Sequence, residues 1–156
     1  MVFSAVQTAP FGAVGVCTEH DSDTGLVFLD HGAPAMAPRD APAREACRQL
    51  GTYFADPRHG FDRPLKVTGT AFQRRIWAAI ASVPCGGTST YGKLARLLES
   101  VPRAVGQACG ANAYPLAIPC HRVVAASGLG GFAHHTGGYL TGIKRWLLRH
   151  EAAFTH

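Results

Sequence analysis

Residues 70–113 read TAFQRRIWAAIASVPCGGTSTYGKLARLLESVPRAVGQACGANA, and this stretch decides the fold of the second half of the chain. Thr70 and Gln73 have the spacing of a capping box, in which the Thr hydroxyl accepts from a free helix amide and the Gln side chain reaches back. The apolar face that follows consists of Phe72, Ile76, Trp77 and Ile80. The pattern predicts a helix that ends near Pro84.

Two further helices follow within the same stretch. Residues 85–88, CGGT, predict a turn. The second helix has its apolar stripe at Tyr91, Leu94, Ala95 and Leu98. Ser100 is expected to cap the third helix, with Pro102 in its first turn. Two short helices joined by a tight turn, with Arg103 at the start of the second, are typical of a helix-turn-helix.

The third helix carries little side-chain bulk. Its small residues are Ala104, Gly106, Ala108, Gly110, Ala111 and Ala113. Two interpretations are open. The small residues allow close packing against a neighbouring helix, or they let the helix backbone approach the wall of a nucleic-acid groove.

The first half of the 156-residue chain has a different pattern. Residues 13–17 and 25–29 are short apolar runs bounded by turn residues, and they predict a hairpin. A Pro- and Ala-rich loop occupies residues 32–42, and apolar spacing predicts a helix over residues 43–54. The length suits one domain or two small lobes.

Charge is distributed unevenly along the chain. Residues 1–65 carry five arginines against eight acidic residues, a net charge of −3, whereas residues 66–156 carry ten lysines and arginines against Glu99 and Glu151, a net charge of +8. Twelve of the fifteen cations are arginine, whose guanidinium suits phosphate. A basic half is typical of a protein that binds a polyanion such as nucleic acid, although a solvated basic face has the same composition.

Several other classes are disfavoured. No stretch approaches the ~20 apolar residues that a spanning helix needs, and the first seven residues lack the basic flank and apolar block of a secretory leader. The five cysteines are an odd and scattered set, so we expect a reducing, cytoplasmic location, or a nuclear one in a eukaryote. Cys17 and His20 lack a second close pair of ligands, and we therefore expect no metal.

Residues 117–124, AIPCHRVV, hold the candidate reactive group. Cys120 lies between a proline and His121 in an apolar stretch, which predicts a buried thiol. Most buried thiols are inert, but His121 and Arg122 are costly to bury without partners, and a nearby base converts a thiol into a nucleophilic thiolate. Cys120 is the predicted nucleophile. The remaining cysteines, Cys17, Cys47, Cys85 and Cys109, are interpreted as structural.

Residues 119–123, PCHRV, resemble the active-site motif of the O6-alkylguanine-DNA alkyltransferases. Further matching segments are Tyr53-Phe54, residues 61–65, Gly69-Thr70, Phe72-Gln73, Trp77, Tyr91-Gly92, residues 103–106, Asn112 and residues 144–148. The resemblance covers residues 50–151 well and the first 45 loosely. It implies a mixed α/β (α+β) fold, with a small antiparallel-sheet lobe of ribonuclease H-like type over residues 1–65. Residues 66–156 would form a helical lobe whose helix-turn-helix is of winged-helix type.

The resemblance also implies a reaction. Cys120 matches the acceptor that takes a methyl or other alkyl group from O6-alkylguanine, and from O4-alkylthymine, once per molecule and without a cofactor. His121 matches the base that draws the thiol proton through a water and is held by the carboxylate of Glu151. Tyr91 matches the residue that protonates the departing base, and Arg103 matches the arginine that fills the stack after the nucleotide flips out.

The remaining roles concern the pocket and the DNA. Asn112 matches the residue that braces the turn into the site, and Pro119 and Lys144 match residues at the substrate pocket. The residues expected at the DNA are Tyr91, Arg103, Ala104, Gly106 and Arg122. The implied partner is double-stranded DNA containing O6-alkylguanine, bound by a monomer through the minor groove without sequence readout.

Three segments depart from the family pattern. Residues 99–102 make a shorter turn before Arg103 than is usual, and Ala113 stands where a proline often follows the asparagine. Residues 131–139, which include His134 and His135, are longer and richer in histidine beside the expected pocket. The size of the accepted alkyl group and cooperativity along DNA therefore stay open.

Three rival functions make different demands on the sequence. An alkyltransferase-like protein that only binds lesions lacks the acceptor cysteine, which Cys120 supplies here. A helix-turn-helix transcription regulator needs long polar side chains that reach base edges, and the slim third helix does not offer them. A redox enzyme or cysteine protease must regenerate its cysteine, and no second cysteine lies at Cys-x-x-Cys spacing from Cys120.

Overall fold

The structure is a computed structural model that describes residues 2–128 and 138–155. The chain divides into two compact units: Met1–Val67 with Ala113–Ala117, and Thr68–Asn112 with Ile118–His156. Two domains meeting at residue 65 stay a prediction. No helix in the described part of the chain is long and apolar enough to cross a membrane.

The first unit contains a three-stranded antiparallel sheet. Its strands are β1 (Ala5–Ala9), β2 (Gly12–Glu19) and β3 (Ser22–Leu29), in the order β1-β2-β3. The pair β2–β3 confirms the predicted hairpin. Strand β1 was not predicted, because Gln7 and Thr8 interrupt its short apolar run; its pairing with β2, in which Ala5 lies opposite Val16, defines it as a strand.

Helix α1 (Ala41–Ala55) packs on this sheet through the buried side chains of Leu50 and Tyr53. It begins two residues before the predicted start, because the side chain of Asp40 accepts a hydrogen bond from the Ala43 amide at 2.8 Å. A carboxylate at this position satisfies one of the free amides of the first helical turn.

Residues 113–117 belong to the first unit although they follow the helices of the second. The amide of Leu26 donates to the carbonyl of Ala113 at 2.9 Å. The hydroxyl of Tyr114 donates to the carbonyl of Lys66 at 2.5 Å. These bonds hold residues 113–117 within the first unit.

The second unit is mainly helical. Its elements are α2 (Ala71–Ala81), α3 (Tyr91–Leu97), α4 (Pro102–Gly110), α5 (Gly138–Thr155) and a parallel pairing of β4 (Ser89–Thr90) with β5 (Val123–Val124). The capping box of α2 is confirmed, with Gln73 and Thr70 bonded reciprocally at 3.1 and 2.9 Å. Phe72, expected on the apolar face, is exposed, so the buried face of α2 begins at Ile76.

Helices α3 and α4 are joined by residues 98–101 and form the predicted helix-turn-helix arrangement. The prediction that Ser100 caps α4 is wrong. The Ser100 amide donates to the carbonyl of Ala95 at 2.8 Å, so Ser100 lies in the turn that closes the C-terminal end of α3. The N-cap of α4 is Val101, which has no side-chain acceptor, and Pro102 occupies the first turn as expected. The winged-helix and ribonuclease H-like attributions stay predictions.

Candidate active site

Cys120 opens a single 3₁₀ turn, Cys120–Arg122, directly after the buried Pro119. The amide of Cys120 donates to the carbonyl of Ile118 at 2.8 Å, and the amide of Arg122 donates to the carbonyl of Pro119 at 2.9 Å. These two hydrogen bonds fix the backbone conformation before and after Cys120. Cys120 is 2% exposed, which confirms the expectation of a buried thiol.

Asn112 braces this turn from the end of α4. Its Nδ2 donates to the carbonyl of Ile118 at 2.9 Å and to the Sγ of Cys120 at 3.2 Å. The bond to sulfur favours the thiolate, because an amide donor stabilises negative charge. Asn112 therefore positions the 3₁₀ turn and opposes in part the rise in the pKa of Cys120 that the neighbouring Cys109 thiol and burial cause.

His121 and Glu151 form a buried pair beside the sulfur-bearing turn. The Nε2 of His121 donates to the Oε2 of Glu151 at 2.7 Å, and each side chain is 1% exposed. Burial lowers the pKa of His121, and its hydrogen bond with Glu151 opposes this only in part. His121 is therefore neutral at neutral pH. Because a carboxylate only accepts, the ring proton is on Nε2 and Nδ1 is free to act as a base.

Arg122 completes the network around Glu151. Its Nε and Nη2 donate to the two carboxylate oxygens at 2.8 and 3.1 Å, and its Nη1 donates to the carbonyl of Val83 at 2.8 Å. All three guanidinium nitrogens therefore have partners inside the unit, and the side chain is only 13% exposed. Arg122 therefore holds the Glu151 carboxylate in place, and the DNA contact predicted for it stays a prediction.

Lys144 and Tyr91 are the remaining two members of the cluster. The Nζ of Lys144 donates to the carbonyl of Val123 at 2.7 Å and lies 5.7 Å from the centre of the Tyr91 ring. Burial lowers the pKa of Lys144 to about 8, against the attraction of Cys109 and Cys120. Burial also raises the pKa of Tyr91. Tyr91 therefore keeps its proton and can donate it.

Cys109 is a residue near the sulfur that the sequence analysis treated only as structural. It lies in the last turn of α4 and is 8% exposed. The neighbouring thiol of Cys109, followed by burial, raises the pKa of Cys120, whereas the thiol of Cys120 lowers the pKa of Cys109. Residue type and spacing gave no signal for this effect, and the structural interpretation of Cys109 stays a prediction.

The residues expected at the DNA lie along α4. Arg103 is exposed in the first turn, and Ala104 and Gly106 are partly exposed. A Cβ atom added at Gly106 would meet no heavy atom within 4 Å. Close packing within the described protein therefore does not explain a glycine at position 106. The interpretation that remains there is approach of the helix backbone to a nucleic-acid groove.

The structure thus gathers the buried Cys120, His121, Glu151 and Lys144 and the half-buried Asn112 into one cluster with Tyr91 at its side. Arg103 lies in the first turn of α4, the helix that precedes Asn112. The histidine-rich segment with His134 and His135 lies outside the described residues. Among those described, no group of His, Cys, Asp and Glu side chains has the arrangement of a metal site.

Comparison with known proteins agrees with this cluster. Residues 71–153 match the family model described as "6-O-methylguanine DNA methyltransferase, DNA binding domain". A curated relative from Methanosarcina mazei, named methylated-DNA–protein-cysteine methyltransferase, is 37% identical over 135 residues, which is 81% of this chain and 82% of the relative. The chain belongs to the methylated-DNA–protein-cysteine methyltransferase family. It is therefore a DNA repair alkyltransferase.

Solved structures of this family have the same fold. A variant of the O6-methylguanine methyltransferase of Mycobacterium tuberculosis is 31% identical, with a TM-score of 0.80 over 97% of this chain and 93% of that one. A structure of the M. tuberculosis alkyltransferase in complex with DNA is 33% identical, with a TM-score of 0.79 over 96% and 92% of the two chains. The mixed α/β fold of this alkyltransferase is thus shown.

Proposed function

We propose that Cys120 is the acceptor atom of this alkyltransferase and that it takes an alkyl group from O6-alkylguanine, and from O4-alkylthymine, in double-stranded DNA. The observation that carries the assignment is the polar network around a buried sulfur. Asn112 donates to that sulfur, and a neutral His121 oriented by Glu151 follows it in the chain. A thiol whose pKa is raised needs such a base at the moment of reaction.

The proton leaves the sulfur through a water. In a 3₁₀ turn, successive side chains are rotated by about 120°, so the side chains of adjacent residues point in different directions. A water between Cys120 and the Nδ1 of His121 bridges this offset. Glu151 stabilises the imidazolium that results, because its carboxylate already accepts from Nε2, and Arg122 holds that carboxylate in place.

The alkyl transfer is then a displacement at carbon. The Cys120 thiolate attacks the alkyl carbon, the carbon–O6 bond breaks, and the electron pair of that bond passes to guanine. Tyr91, protonated because its pKa is raised, donates its proton to the departing base. The product thioether does not hydrolyse, so each molecule acts once.

Access to the lesion requires the nucleotide to leave the duplex, because O6 is not reachable within the stack. We place α4 in the minor groove, with Ala104 and Gly106 against the groove wall and Arg103 filling the vacated space. The open space in front of Gly106 supports this docking. Pro119 and Lys144 border the pocket that receives the base, and the protein acts as a monomer.

Intact-mass analysis tests the assignment directly. One molar equivalent of duplex carrying a single O6-methylguanine should add one methyl group per molecule, and peptide mapping should locate it on Cys120. A duplex with guanine at that position is the control. With lesion in excess, a methyl group on another residue, or more than one lesion repaired per molecule, would overturn the proposal.

A further inference from the structure

The hydrogen-bonding pattern of α4 changes at its last turn. The amide of Ala111 donates to the carbonyl of Gln107 at 3.1 Å, which is the four-residue spacing of an α-helix. The amide of Asn112 donates to the carbonyl of Cys109 at 3.2 Å, which is the three-residue spacing of a 3₁₀ turn. A further α-helical bond would join the Asn112 amide to the carbonyl of Ala108. The change of spacing therefore ends α4 and sets the direction in which Asn112 leaves it.

The carbonyl of Ala108 accepts a hydrogen bond from Trp77 of α2. The indole Nε1 donates to it at 2.8 Å, and both residues are buried. A buried carbonyl that lacks a donor is destabilising, so the indole N–H stabilises the spacing in which the Asn112 amide bonds to Cys109. The ring itself is confined, because a Cβ atom added at Gly69 would lie 2.5 Å from its Cη2 atom. Packing against the Gly69 backbone thus holds the indole where it reaches Ala108.

We propose that Trp77 is a positioning residue for alkyl transfer, because its indole N–H fixes the residue at which α4 ends and thereby directs the Asn112 side chain to the Cys120 sulfur. Trp77 acts through Asn112 and is not a reacting group. The inference rests on the proposed function in one respect, namely that Cys120 is the alkyl acceptor.

Asn112 makes two contacts that depend on its direction. Its Nδ2 donates to the carbonyl of Ile118 at 2.9 Å and to the Sγ of Cys120 at 3.2 Å. Successive residues turn by about 100° in an α-helix and by about 120° in a 3₁₀ helix, with rises of about 1.5 and about 2.0 Å. Without the indole donor, the Ala108 carbonyl competes for the Asn112 amide, and the α-helical bond that results draws the Nδ2 away from both acceptors. The thiolate of Cys120 then loses a donor that stabilises its charge.

Single-turnover methyl transfer from saturating duplex that carries one O6-methylguanine tests the inference. Trp77→Phe removes the donor and keeps an aromatic ring, and the rate constant should fall by about 10-fold, the size expected for one lost hydrogen bond to the reacting atom. The DNA concentration that gives half the maximal rate should stay within about twofold, because the first turn of α4 is unchanged. The rate constant is measured on the molecules that react, so molecules that fail to fold reduce the amount methylated and not the rate. Ile80→Val, at a fully buried side chain of the same helix, is the matched control and should keep the rate.

A double-mutant cycle shows whether Trp77 acts through Asn112. Asn112→Ala should itself slow transfer, because the donor to the sulfur is gone. Adding Trp77→Phe to Asn112→Ala should slow transfer by less than about twofold more, since the side chain that Trp77 positions is already absent. A role of Trp77 in packing alone predicts that the two losses multiply.

Replacement of Trp77 by 3-benzothienylalanine keeps the size of the ring and exchanges only the N–H for sulfur. This variant should slow transfer as Trp77→Phe does, and it decides the matter if Trp77→Phe does not fold. Transfer by it at the unaltered rate, or losses that multiply in the double-mutant cycle, would overturn this inference and leave the proposed function standing. Methylation of the unaltered protein at a residue other than Cys120 would overturn the proposed function, and this inference with it.

Discussion

The Nε2 of His121 lies 2.7 Å from the Oε2 of Glu151, and both side chains are buried. This contact assigns the ring proton to Nε2 and leaves Nδ1 as the base. Glu151→Gln removes the fixed tautomer and should slow transfer by about 10²-fold at neutral pH. Raising the pH should restore part of the rate, because hydroxide then forms the Cys120 thiolate directly. Single-turnover rates across pH check this, with Glu45→Gln, in an exposed ion pair on α1, as the control. An unchanged rate would refute the positioning role of Glu151.

Burial of His121 also predicts how stability depends on pH. Its pKa is lowered in the folded protein, so below the unfolded pKa of ~6.5 the unfolded chain binds more protons than the folded one. This contribution is fully present above that pH and is lost as the pH falls through it. Between pH 8 and pH 5.5, the free energy of unfolding measured by urea denaturation should therefore fall less for His121→Gln than for the unaltered protein. His59→Gln, at an exposed histidine, should retain the full loss, and identical pH slopes in all three would contradict the prediction.

Replacing Cys120 separates chemistry from binding. Cys120→Ala should abolish alkyl transfer, because the acceptor sulfur is gone, and should leave affinity for duplex DNA largely intact, because a residue 2% exposed makes no phosphate contact. Gel-shift titration and the methyl-transfer assay measure the two properties on the same preparation. Residual transfer by this variant would require another acceptor. Cys85→Ser serves as a control that should keep its transfer rate within about 10-fold, equivalent to ~1.4 kcal/mol.

Gly106 distinguishes docking from packing. A Cβ atom at position 106 meets no other part of the protein. Gly106→Leu should therefore leave the free energy of unfolding unchanged or raise it by about 0.5–1 kcal/mol, because leucine lowers the entropy of the unfolded chain. The same side chain would stand between α4 and the minor groove, so binding to duplex DNA should weaken at least about 10-fold, or ~1.4 kcal/mol. Gly51→Leu on α1 is the matched control, since a Cβ at Gly51 also meets nothing within 4 Å. Equal DNA affinities for the two variants would place the groove elsewhere.

Arg103 tests nucleotide flipping apart from chemistry. Arg103→Ala should slow repair of duplex DNA by about 10-fold or more, equivalent to ~1.4 kcal/mol, because the vacated stack is no longer filled. Reaction with a free O6-benzylguanine base needs no flipping and should change far less if the pocket admits benzyl. Equal losses on both substrates would refute the role. If Arg103 has no effect, the short turn before it makes the exposed Arg96 of α3 the next residue to replace.

Features set by neighbouring residues were predictable. The capping box at Thr70 and Gln73, the β2–β3 hairpin and the burial of Cys120 follow from residues within a few positions of each other, and all three are confirmed. The Ser100 cap failed for a related reason. Its residue type favours capping, but the Ser100 amide bonds back to Ala95 and α4 begins one residue later, with Val101 as its N-cap. Residue type alone does not fix at which residue the turn ends and the helix begins.

Features that depend on distant partners were decided by tertiary structure. Glu151 lies 30 residues after His121, so local sequence does not pair them; the family resemblance implied the pair, and the packing of α5 against the 3₁₀ turn gives its geometry. The same packing places the guanidinium of Arg122 against the Glu151 carboxylate. The local sequence is equally compatible with a contact between Arg122 and DNA. Capping and turn patterns involve residues a few positions apart and can be predicted from the sequence. The partner of a buried charge can come from any part of the chain that folding brings beside it.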